Sequence, residues 1–395
     1  HTNGNFTTDA PLINISEKSP LLRNISQCLY GELSIGVGST ISLRNMTEIP
    51  KTMLAWKKVA SQPGGFDFVE TPVPQVKPDE VLVKTHSTSI CGTDLHIWKW
   101  DDWAAENVPI NTTTGHETCG VVIAIGNEVT THKIGDKIAV ECHLACWDCD
   151  RCREGNAHIC EEGQIFGVHS NGAFAPYFTI PAVNARHFPD NLTMDLASIQ
   201  DPLGNAIHTL TGGPVKDAVV AIHGLGPIGL FAVNVAKAMG ARKVIAIDWD
   251  NQTRMQLATK LGADVVLGKD DDIIESILTH TNGQGADNSC EFSGSPSALS
   301  NTIYSTRMGG YVNILSVYGT TKTEVPMNDI VFRYLHLKGI NGRKMWSTWE
   351  MMHELISQDK IDIKTVVTHR VSFNDCELGF DLAMGGDCGK VVVDF

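Results

Sequence analysis

A glycine-rich segment, residues 219–230 (VVAIHGLGPIGL), constrains the fold of this chain more than any other part of it. An apolar run precedes the G-x-G-x-x-G pattern, and no further glycine occurs until Gly240, so the pattern joins a predicted strand to a predicted helix. Gly224 permits a tight turn, Gly226 lets the backbone approach a pyrophosphate, and Gly229 lets the helix pack closely on the strand. The segment therefore predicts a dinucleotide-binding β-α-β unit.

The sequence that follows favours one type of dinucleotide. Pro227 and Ile228 begin the predicted helix, whose N-terminal N–H groups would face the pyrophosphate. The next predicted strand ends at Asp248, about 20 residues past the last glycine, where a carboxylate binds the ribose hydroxyls of adenosine. Because Asp248 would repel a 2′-phosphate, the sequence favours NAD+ over NADP+. Arg254 keeps NADP+ open as an alternative, because its guanidinium would either bind such a phosphate or stack near the adenine.

The distribution of strands and helices predicts two domains, as expected for 395 residues. Short strands between proline- and glycine-rich turns occupy residues 53–200 and predict a β-rich, barrel-like domain. Strands alternate with helices in residues 201–344, which predicts a doubly wound parallel sheet of the Rossmann type, an α/β fold. Residues 345–395 are predicted to form helices and a final strand that returns to the first domain. Residues 1–52 are rich in Asn, Ser and Thr, and we interpret them as a flexible extension; an additional strand or a partner-binding arm is the alternative.

Four closely spaced cysteines predict a structural zinc site. The pattern C-x2-C-x2-C-x7-C allows all four sulfurs to converge on one ion; its members are Cys146, Cys149, Cys152 and Cys160. Four thiolates without an open position suit a structural Zn²⁺, whose coordination shell is closed to substrate. Disulfide pairing would not require three cysteines at strict three-residue steps, so the metal interpretation is favoured.

A second group of residues, upstream of these cysteines, has the composition of a catalytic metal site. Cys91 follows a predicted strand, and His116 follows a turn-rich segment. A catalytic Zn²⁺ takes three such protein ligands and leaves one position open for substrate. Either Glu117 or Asp201 completes the set. A bound Zn²⁺ would favour loss of the proton from a substrate hydroxyl, so the group predicts alcohol oxidation when combined with the dinucleotide unit.

Further residues are candidates for roles beside this metal. Thr93 is placed in sequence to receive the hydroxyl proton, and His96 to relay it to solvent. Asp201 lies at the predicted junction of the two domains, where its carboxylate would either move towards the ion or cap the next helix. His143, just before the four cysteines, is either a substrate contact or a polar loop residue.

Composition excludes some classes of function. A net charge of -14 disfavours nucleic acid, because its binding requires cationic groups on the protein; a zinc-ribbon nucleic-acid module is therefore disfavoured. No apolar run approaches the length of a membrane span. Metal-type spacing among the eleven cysteines suits a reducing compartment, so we expect a cytoplasmic protein whose seven N-x-S/T sequons are unused. The expected partner is a small-molecule hydroxy substrate.

These motifs, in this order, resemble the zinc-containing medium-chain dehydrogenases. The resemblance extends over residues 53–395, and the Trp-rich stretch after Cys91 and the Gly342-Arg343 stretch discriminate best among sibling dehydrogenases. The segments that carry the resemblance are residues 89–103 (SICGTDLHIWKWDDW), 200–208 (QDPLGNAIH), 342–349 (GRKMWSTW), 368–370 (THR) and 389–391 (GKV).

The resemblance implies a GroES-like catalytic domain, made of residues 53–200 and 345–395, beside an NAD-binding domain of residues 201–344. It also implies one catalytic and one structural zinc ion and a homotetramer. The catalytic ion would lie on Cys91, His116 and Glu117, with Asp201 as an exchangeable ligand or neighbour. Thr93 and His96 would form the proton relay, His143 would lie near the substrate, and the four clustered cysteines would hold the structural ion.

For the reaction, the resemblance implies hydride transfer from the 3-hydroxyl of L-threonine to NAD+, giving 2-amino-3-oxobutanoate. A polyol, a sugar or a vicinal diol is the alternative substrate for the same chemistry. A homologue that binds the nucleotide without catalysis is less favoured, because Cys91 and His116 are both present.

Overall fold

Two large β-sheets and the helices that pack on them form the described part of the protein. The computed structural model describes residues 49–318 and 322–395. Residues up to 48 of the predicted flexible extension lie outside this part, and the first strand begins at Thr52. Residues Pro50–Phe395 group into one compact unit.

The first half of the unit is rich in short strands, as the sequence predicts. Its elements are β1 (Thr52–Lys58), β2 (Phe66–Pro72), β3 (Glu80–Ser89), α1 (Gly92–Lys99), α2 (Asp102–Asn107), β4 (Thr112–Thr113), β5 (Glu117–Ile125), β6 (Lys137–Val140), β7 (His143–Leu144), α3 (Asp150–Arg153), β8 (Gln164–Ile165), β9 (Tyr177–Pro181), β10 (Ala185–Arg186), α4 (Met194–Ala197) and α5 (Gln200–Leu210). Helices α1 and α2 interrupt the strands and were not predicted from the sequence.

The middle of the chain forms a parallel sheet flanked by helices. Its elements are β11 (Val219–His223), α6 (Pro227–Ala238), β12 (Lys243–Ile247), α7 (Gln252–Lys260), β13 (Val265–Leu267), α8 (Ile273–His280), β14 (Ala286–Glu291), α9 (Pro296–Ser305), β15 (Thr306–Ile314), α10 (Met327–Phe332) and β16 (His336–Gly339). The strand order is β13-β12-β11-β14-β15-β16, and every pair is parallel. The order reverses between β11 and β14, so the predicted doubly wound sheet is confirmed, and ligands of such sheets bind at this reversal.

The last part of the chain returns to the first half. Its elements are α11 (Ser347–Ser357), β17 (Val367–Ser372), α12 (Cys376–Gly385) and β18 (Lys390–Asp394). The final strand pairs in parallel with β17 and antiparallel with β3, as expected from the sequence. The large mixed sheet has the order β10-β6-β5-β3-β18-β17, with β9 also on β3, and smaller sheets join β2-β1-β4 and β7-β8.

A common apolar core joins the two large sheets through α5. This helix packs on α6 and α11, and ten of its eleven residues are buried. The core around it includes Leu203 of α5, Phe231 of α6 and Trp349 of α11. Because α5 is enclosed in this way, its first turn has a fixed position near both sheets. Among the described residues, no helix is long and apolar enough to cross a bilayer.

Candidate active site

Two antiparallel strands bring the predicted catalytic ligands together. Ser89, at the end of β3, pairs with Glu117, at the start of β5, so residues just past the first strand meet residues just before the second. Ligand atoms of Cys91, His116 and Glu117 consequently lie within 4.8 Å of one another. Gly115, at φ +90°, makes the turn before His116, and a side chain there would collide with the Phe174 ring.

Helix α1 fixes Cys91 through a capping box. Cys91 is the N-cap residue, and its backbone N–H donates to Asp94 Oδ2 at 2.9 Å. The Asp94 side chain is fully buried, and its Oδ1 has no hydrogen-bond partner in the described part of the chain. Burial raises the pKa of this carboxyl despite the opposing effect of His116. A C-x-x-D capping box is an uncommon variant of the S/T-x-x-E pattern, so the sequence did not reveal this helix.

Glu117 is held by partners that the sequence analysis did not identify. The Lys390 Nζ lies 2.5 Å from Glu117 Oε2 and donates to the Ile90 carbonyl at 2.8 Å, and both charged side chains are buried. The Ser89 hydroxyl donates to the same carboxylate oxygen. The other oxygen, Oε1, is buried and without a partner among the described residues. One carboxylate oxygen is thus anchored while the other is left for a cation.

The electrostatics of the cluster suit a cation. Burial alone would lower the pKa of His116, but the neighbouring Cys91 sulfur and the Asp94 carboxylate raise it to about 10. The imidazole thus lies in a strongly negative environment. Thiolate, imidazole and carboxylate are the ligand types of catalytic zinc sites. The donor set and the unpaired Glu117 oxygen therefore fit the zinc ion that the sequence predicts.

Asp201 lies in the first turn of α5, and the structure contradicts the helix-capping interpretation of this residue. The N-cap residue of α5 is Ile199, and Asp201 is inside the helix at 3% exposure. Its Oδ1 pairs with Arg343 Nη1 at 2.7 Å, whereas Oδ2 has no partner in the described ranges. Burial raises the pKa of this carboxyl, although Arg343 and His116 oppose the rise. The structure does not bring Asp201 into the tight group formed by Cys91 and its two neighbours.

The predicted proton relay lies on α1. Thr93 Oγ1 is 3.8 Å from Cys91 Sγ. One turn further on, His96 Nδ1 lies 2.5 Å from Asp101 Oδ2, and the imidazole is 34% exposed. The carboxylate accepts, so Nδ1 carries the proton and Nε2 is available for exchange. Asp101 also caps α2 by accepting from the Ala104 N–H at 3.0 Å.

His143 belongs to a buried polar network rather than to a free loop. Its Nδ1 lies 2.7 Å from Glu141 Oε1. The guanidinium of Arg343 donates twice to the same carboxylate, at 2.7 and 2.8 Å, and Trp349 Nε1 donates to it at 2.7 Å. Burial disfavours the charged form, but Arg343 and His143 hold the pKa of Glu141 well below its usual range. The sequence assigned no role in the site to Glu141, Arg343 or Trp349, although the last two lie in the 342–349 segment that carried the family resemblance.

The four clustered cysteines converge as their spacing predicts. Their ligand atoms lie within 4.8 Å of one another, and neighbouring sulfurs are 3.4 to 3.8 Å apart. Backbone N–H groups of Cys146 and Cys149 point at sulfurs of the cluster at 3.3 Å. Hydrogen bonds from backbone groups lower the pKa of Cys149 to about 6, so a thiolate is favoured there. This arrangement fits a closed tetrahedral zinc site.

The glycine loop after β11 has the shape expected for a pyrophosphate site. Gly224 adopts φ +95°, a conformation that favours glycine. A side chain on Gly229 would overlap the Gly224 carbonyl, which explains the close packing of α6 on β11. A side chain on Gly226, by contrast, would meet no other described residue within 4 Å beyond its chain neighbours, so the space beside it is open to a ligand. Pro227 is the first residue of α6, whose N–H groups border this space.

Two cavities meet at this loop. One, of about 440 Å³, is bordered by the loop, Asp248 and Arg254. The other, of about 240 Å³, extends from Cys91 and Glu117 to the loop and includes Ile228. Gly226 and Arg254 line both cavities. A continuous groove therefore leads from the candidate metal cluster past the glycine loop to Asp248, the shape that a dinucleotide requires.

The side chains of Asp248 and Arg254 each form a hydrogen bond within the protein. The Asp248 carboxylate accepts from the Leu225 N–H at 3.0 Å, so it supports the glycine loop as well as bordering the cavity. The Arg254 Nε donates to the Cys388 carbonyl at 2.8 Å, which leaves the remainder of the guanidinium for the groove.

Comparison with known proteins places this architecture in a family. Residues 77–190 match the family described as alcohol dehydrogenase GroES-like domain, and residues 227–358 match zinc-binding dehydrogenase. An L-threonine 3-dehydrogenase of Bacillus licheniformis is 43% identical over 340 residues, which cover 85% of this chain and 98% of the relative. An L-threonine 3-dehydrogenase of Pyrococcus horikoshii is 39% identical over 335 residues, covering 84% of this chain and 96% of the relative.

Solved structures share the fold. A zinc-binding dehydrogenase of Sinorhizobium meliloti bound to NADP superposes with a TM-score of 0.80 at 27% identity, covering 88% of this chain and 100% of the other. The 2R,3R-butanediol dehydrogenase of Bacillus subtilis gives a TM-score of 0.78 at 26% identity, covering 87% and 99%. With its GroES-like and zinc-binding dehydrogenase matches, its doubly wound sheet and its two metal-type clusters, this chain belongs to the zinc-binding medium-chain alcohol dehydrogenase family.

Proposed function

We propose that the protein is an NAD+-dependent L-threonine 3-dehydrogenase. It would oxidise the 3-hydroxyl of L-threonine and yield 2-amino-3-oxobutanoate, NADH and a proton. The observation that carries the proposal is the single cavity that joins Cys91 and Glu117 to the glycine loop, because hydride transfer requires the hydroxyl and the dinucleotide to be adjacent. The choice of L-threonine is supported by the relatives of that activity at about 40% identity along nearly their whole length.

The two cofactors supply the difficult chemistry: zinc on Cys91, His116 and Glu117 would polarise the hydroxyl, and NAD+ would accept the hydride. The protein keeps this donor set in place. Lys390 and Ser89 anchor one oxygen of Glu117, so its other oxygen keeps a constant direction. Asp201, which pairs with Arg343, would be an exchangeable ligand of the metal or a neighbour of it.

The residues of α1 would move the proton. Thr93, beside Cys91, would receive it from the substrate hydroxyl, and His96 would pass it to solvent through its free Nε2. Asp101 keeps His96 in the required tautomer. His143, oriented by Glu141, would border the substrate and restrict its position.

The glycine loop and its neighbours would bind NAD+. Gly224 and Gly229 shape the turn, and Gly226, Pro227 and Ile228 present the open face of the loop to the pyrophosphate. The Asp248 carboxylate would accept from the adenosine ribose hydroxyls and disfavour a 2′-phosphate. Arg254 would border both halves of the cofactor.

A polyol or vicinal diol is the second candidate substrate. The fold similarity to 2R,3R-butanediol dehydrogenase supports this alternative, since the same metal and dinucleotide chemistry would oxidise a diol. NADH formation with L-threonine, sorbitol and butane-2,3-diol at matched concentrations separates the two. Turnover restricted to L-threonine supports the proposal. Turnover restricted to sorbitol or butane-2,3-diol would contradict the assignment of L-threonine as the substrate but would agree with the proposed mechanism.

We further propose a cytoplasmic homotetramer whose chain divides into residues 53–200 with 345–395 and residues 201–344. The cysteine usage supports the compartment. Edge strand β16 is exposed along its length and adjoins exposed apolar side chains such as Phe332 and Tyr334, which supports self-association. Light scattering after gel filtration tests the tetramer directly, and a monomeric mass would contradict it.

A further inference from the structure

A buried histidine lines the cavity that Asp248 borders. His223 is the last residue of β11, between Ile247 of β12 and Glu291 of β14, at the point where the strand order reverses. Its side chain is 1% exposed, yet it lines the cavity of about 440 Å³. A ligand at the carboxyl ends of these strands would therefore lie against His223.

The imidazole lacks hydrogen-bond partners among the described residues. Neither Nδ1 nor Nε2 of His223 bonds to any residue that the structure describes. Buried polar groups are nearly always paired in folded proteins, so an unpaired one needs an explanation such as a missing ligand. Burial lowers the pKa of His223 to about 3, so the ring is neutral near pH 7. A neutral imidazole offers one N–H donor and one nitrogen acceptor.

The remaining walls of the cavity suit a nucleoside. Ile273 supplies an aliphatic surface, and Trp249, 73% exposed, supplies an aromatic one. Mainly apolar walls with a few placed polar groups are typical of sites for flat heteroaromatic ligands. His223 does not line the other cavity, the one that reaches Cys91. The two cavities thus assign the two halves of a dinucleotide to different ends of the groove.

We propose that His223 is a recognition residue for the adenosine half of NAD+, and that its imidazole forms a hydrogen bond with the adenosine. The inference rests on the proposed NAD+-dependent function and extends it. His223 precedes the first glycine of the loop, so it is not part of the G-x-G-x-x-G pattern. The proposed hydrogen bond to adenosine is therefore a contact that the pattern does not include.

Calorimetric titration of the full-length, zinc-loaded protein with ADP-ribose tests the inference, because this probe contains the adenosine half and needs no substrate. His223→Phe keeps an aromatic ring and removes both nitrogens. We expect the Kd for ADP-ribose to rise by about 5- to 30-fold, the effect of losing one buried hydrogen bond. The melting temperature without ligand should stay equal or rise, because the variant no longer buries an unpaired polar group.

Ser297→Ala is the matched control. Ser297 also lines the cavity, but it is exposed and its hydroxyl already pairs with Ser295 at 2.9 Å. We expect this variant to bind ADP-ribose within about twofold of the parent, as is usual for surface substitutions.

An unchanged Kd for ADP-ribose in H223F would overturn the inference. So would a large fall in melting temperature, which would assign the ring a structural role. Should H223F fail to fold, His223→Leu replaces it, and failure of both variants to fold counts against the inference. The binding result does not depend on the substrate. If the parent oxidises L-threonine but H223F binds ADP-ribose as the parent does, only this inference is wrong. If H223F binds ADP-ribose more weakly but the parent does not oxidise L-threonine, only the proposed function is wrong.

Discussion

Arg343 and Glu141 form a bidentate ion pair that is almost completely enclosed by protein. The Arg343 Nε donates to Glu141 Oε2 at 2.8 Å and Nη2 donates to Oε1 at 2.7 Å, with exposures of 1% and 0%. The same guanidinium pairs with Asp201 of α5. The Arg343 side chain therefore joins three parts of the chain: the segment before α11, the loop before the four cysteines, and the first turn of α5.

Removing the cation from this pair should be costly. We expect Arg343→Met to lower the free energy of unfolding by about 3 to 5 kcal/mol, because two carboxylates would remain buried without their counter-ion. Urea denaturation measures the loss. The double variant R343M/E141Q should recover part of the lost free energy of unfolding, because it also removes one of the two unpaired buried carboxylates. A loss below about 1 kcal/mol in R343M would show that water or another cation replaces the guanidinium.

Asp101 offers a way to separate proton transfer from folding. Asp101→Asn keeps an oxygen that caps α2, so stability should change by less than about 0.5 kcal/mol. The amide, however, can donate to His96 Nδ1 and reverse its tautomer. We expect kcat to fall by about 100-fold or more with little change in KM, because positioned proton transfer typically contributes about 10²- to 10⁴-fold. Steady-state kinetics with L-threonine measure the effect, and unaltered kcat would remove His96 from the relay.

The Asp248 charge should set the choice between cofactors. Asp248→Asn keeps an oxygen to accept from the Leu225 N–H and removes the negative charge. We expect kcat/KM for NAD+ to fall and that for NADP+ to rise, changing their ratio by about tenfold or more, because like-charge repulsion of the 2′-phosphate is lost. Parallel kinetics with both cofactors test this. An unchanged ratio would point to Arg254 as the determinant.

Stability should depend on pH through His223. Its folded pKa of about 3 lies below the unfolded value of about 6.5, so the unfolded chain binds more protons between these values. The contribution of His223 is therefore complete above about pH 6.5 and is lost as pH falls towards 3, by about 1.4 kcal/mol per pH unit. Denaturation of the parent and of H223F at several pH values measures this effect. Between about pH 6.5 and pH 3, the free energy of unfolding of the parent should fall relative to that of H223F by this amount per pH unit. Parallel curves would contradict the buried, neutral imidazole.

The sequence predicted those features that depend on local spacing. The glycine pattern located β11 and α6 to within one residue at most boundaries, and the C-x2-C-x2-C spacing predicted a cluster whose sulfurs do converge. Both succeed because the geometry is fixed within a few neighbouring residues. The closing strand Lys390–Asp394 was also located, although its partner strands depend on the whole fold.

Features that depend on residues distant in sequence were missed. Lys390 meets Glu117, and Arg343 meets Glu141, across more than 200 residues, so no spacing rule connects either pair. For Asp201 the sequence left two interpretations open, and the structure rules out one of them: the helix begins at Gln200 with Ile199 as its N-cap, so Asp201 does not cap it.

Measuring zinc content and turnover together in the parent, Cys91→Ser and Cys160→Ser tests whether Cys91, His116 and Glu117 form the reaction centre. We expect each variant to retain one zinc ion fewer per chain than the parent. C91S should keep its melting temperature and lose NADH formation from L-threonine, whereas C160S should lose stability, because only the latter ion holds the fold together. Full turnover in C91S, or no loss of zinc from it, would contradict the assignment of Cys91, His116 and Glu117 as the reaction centre.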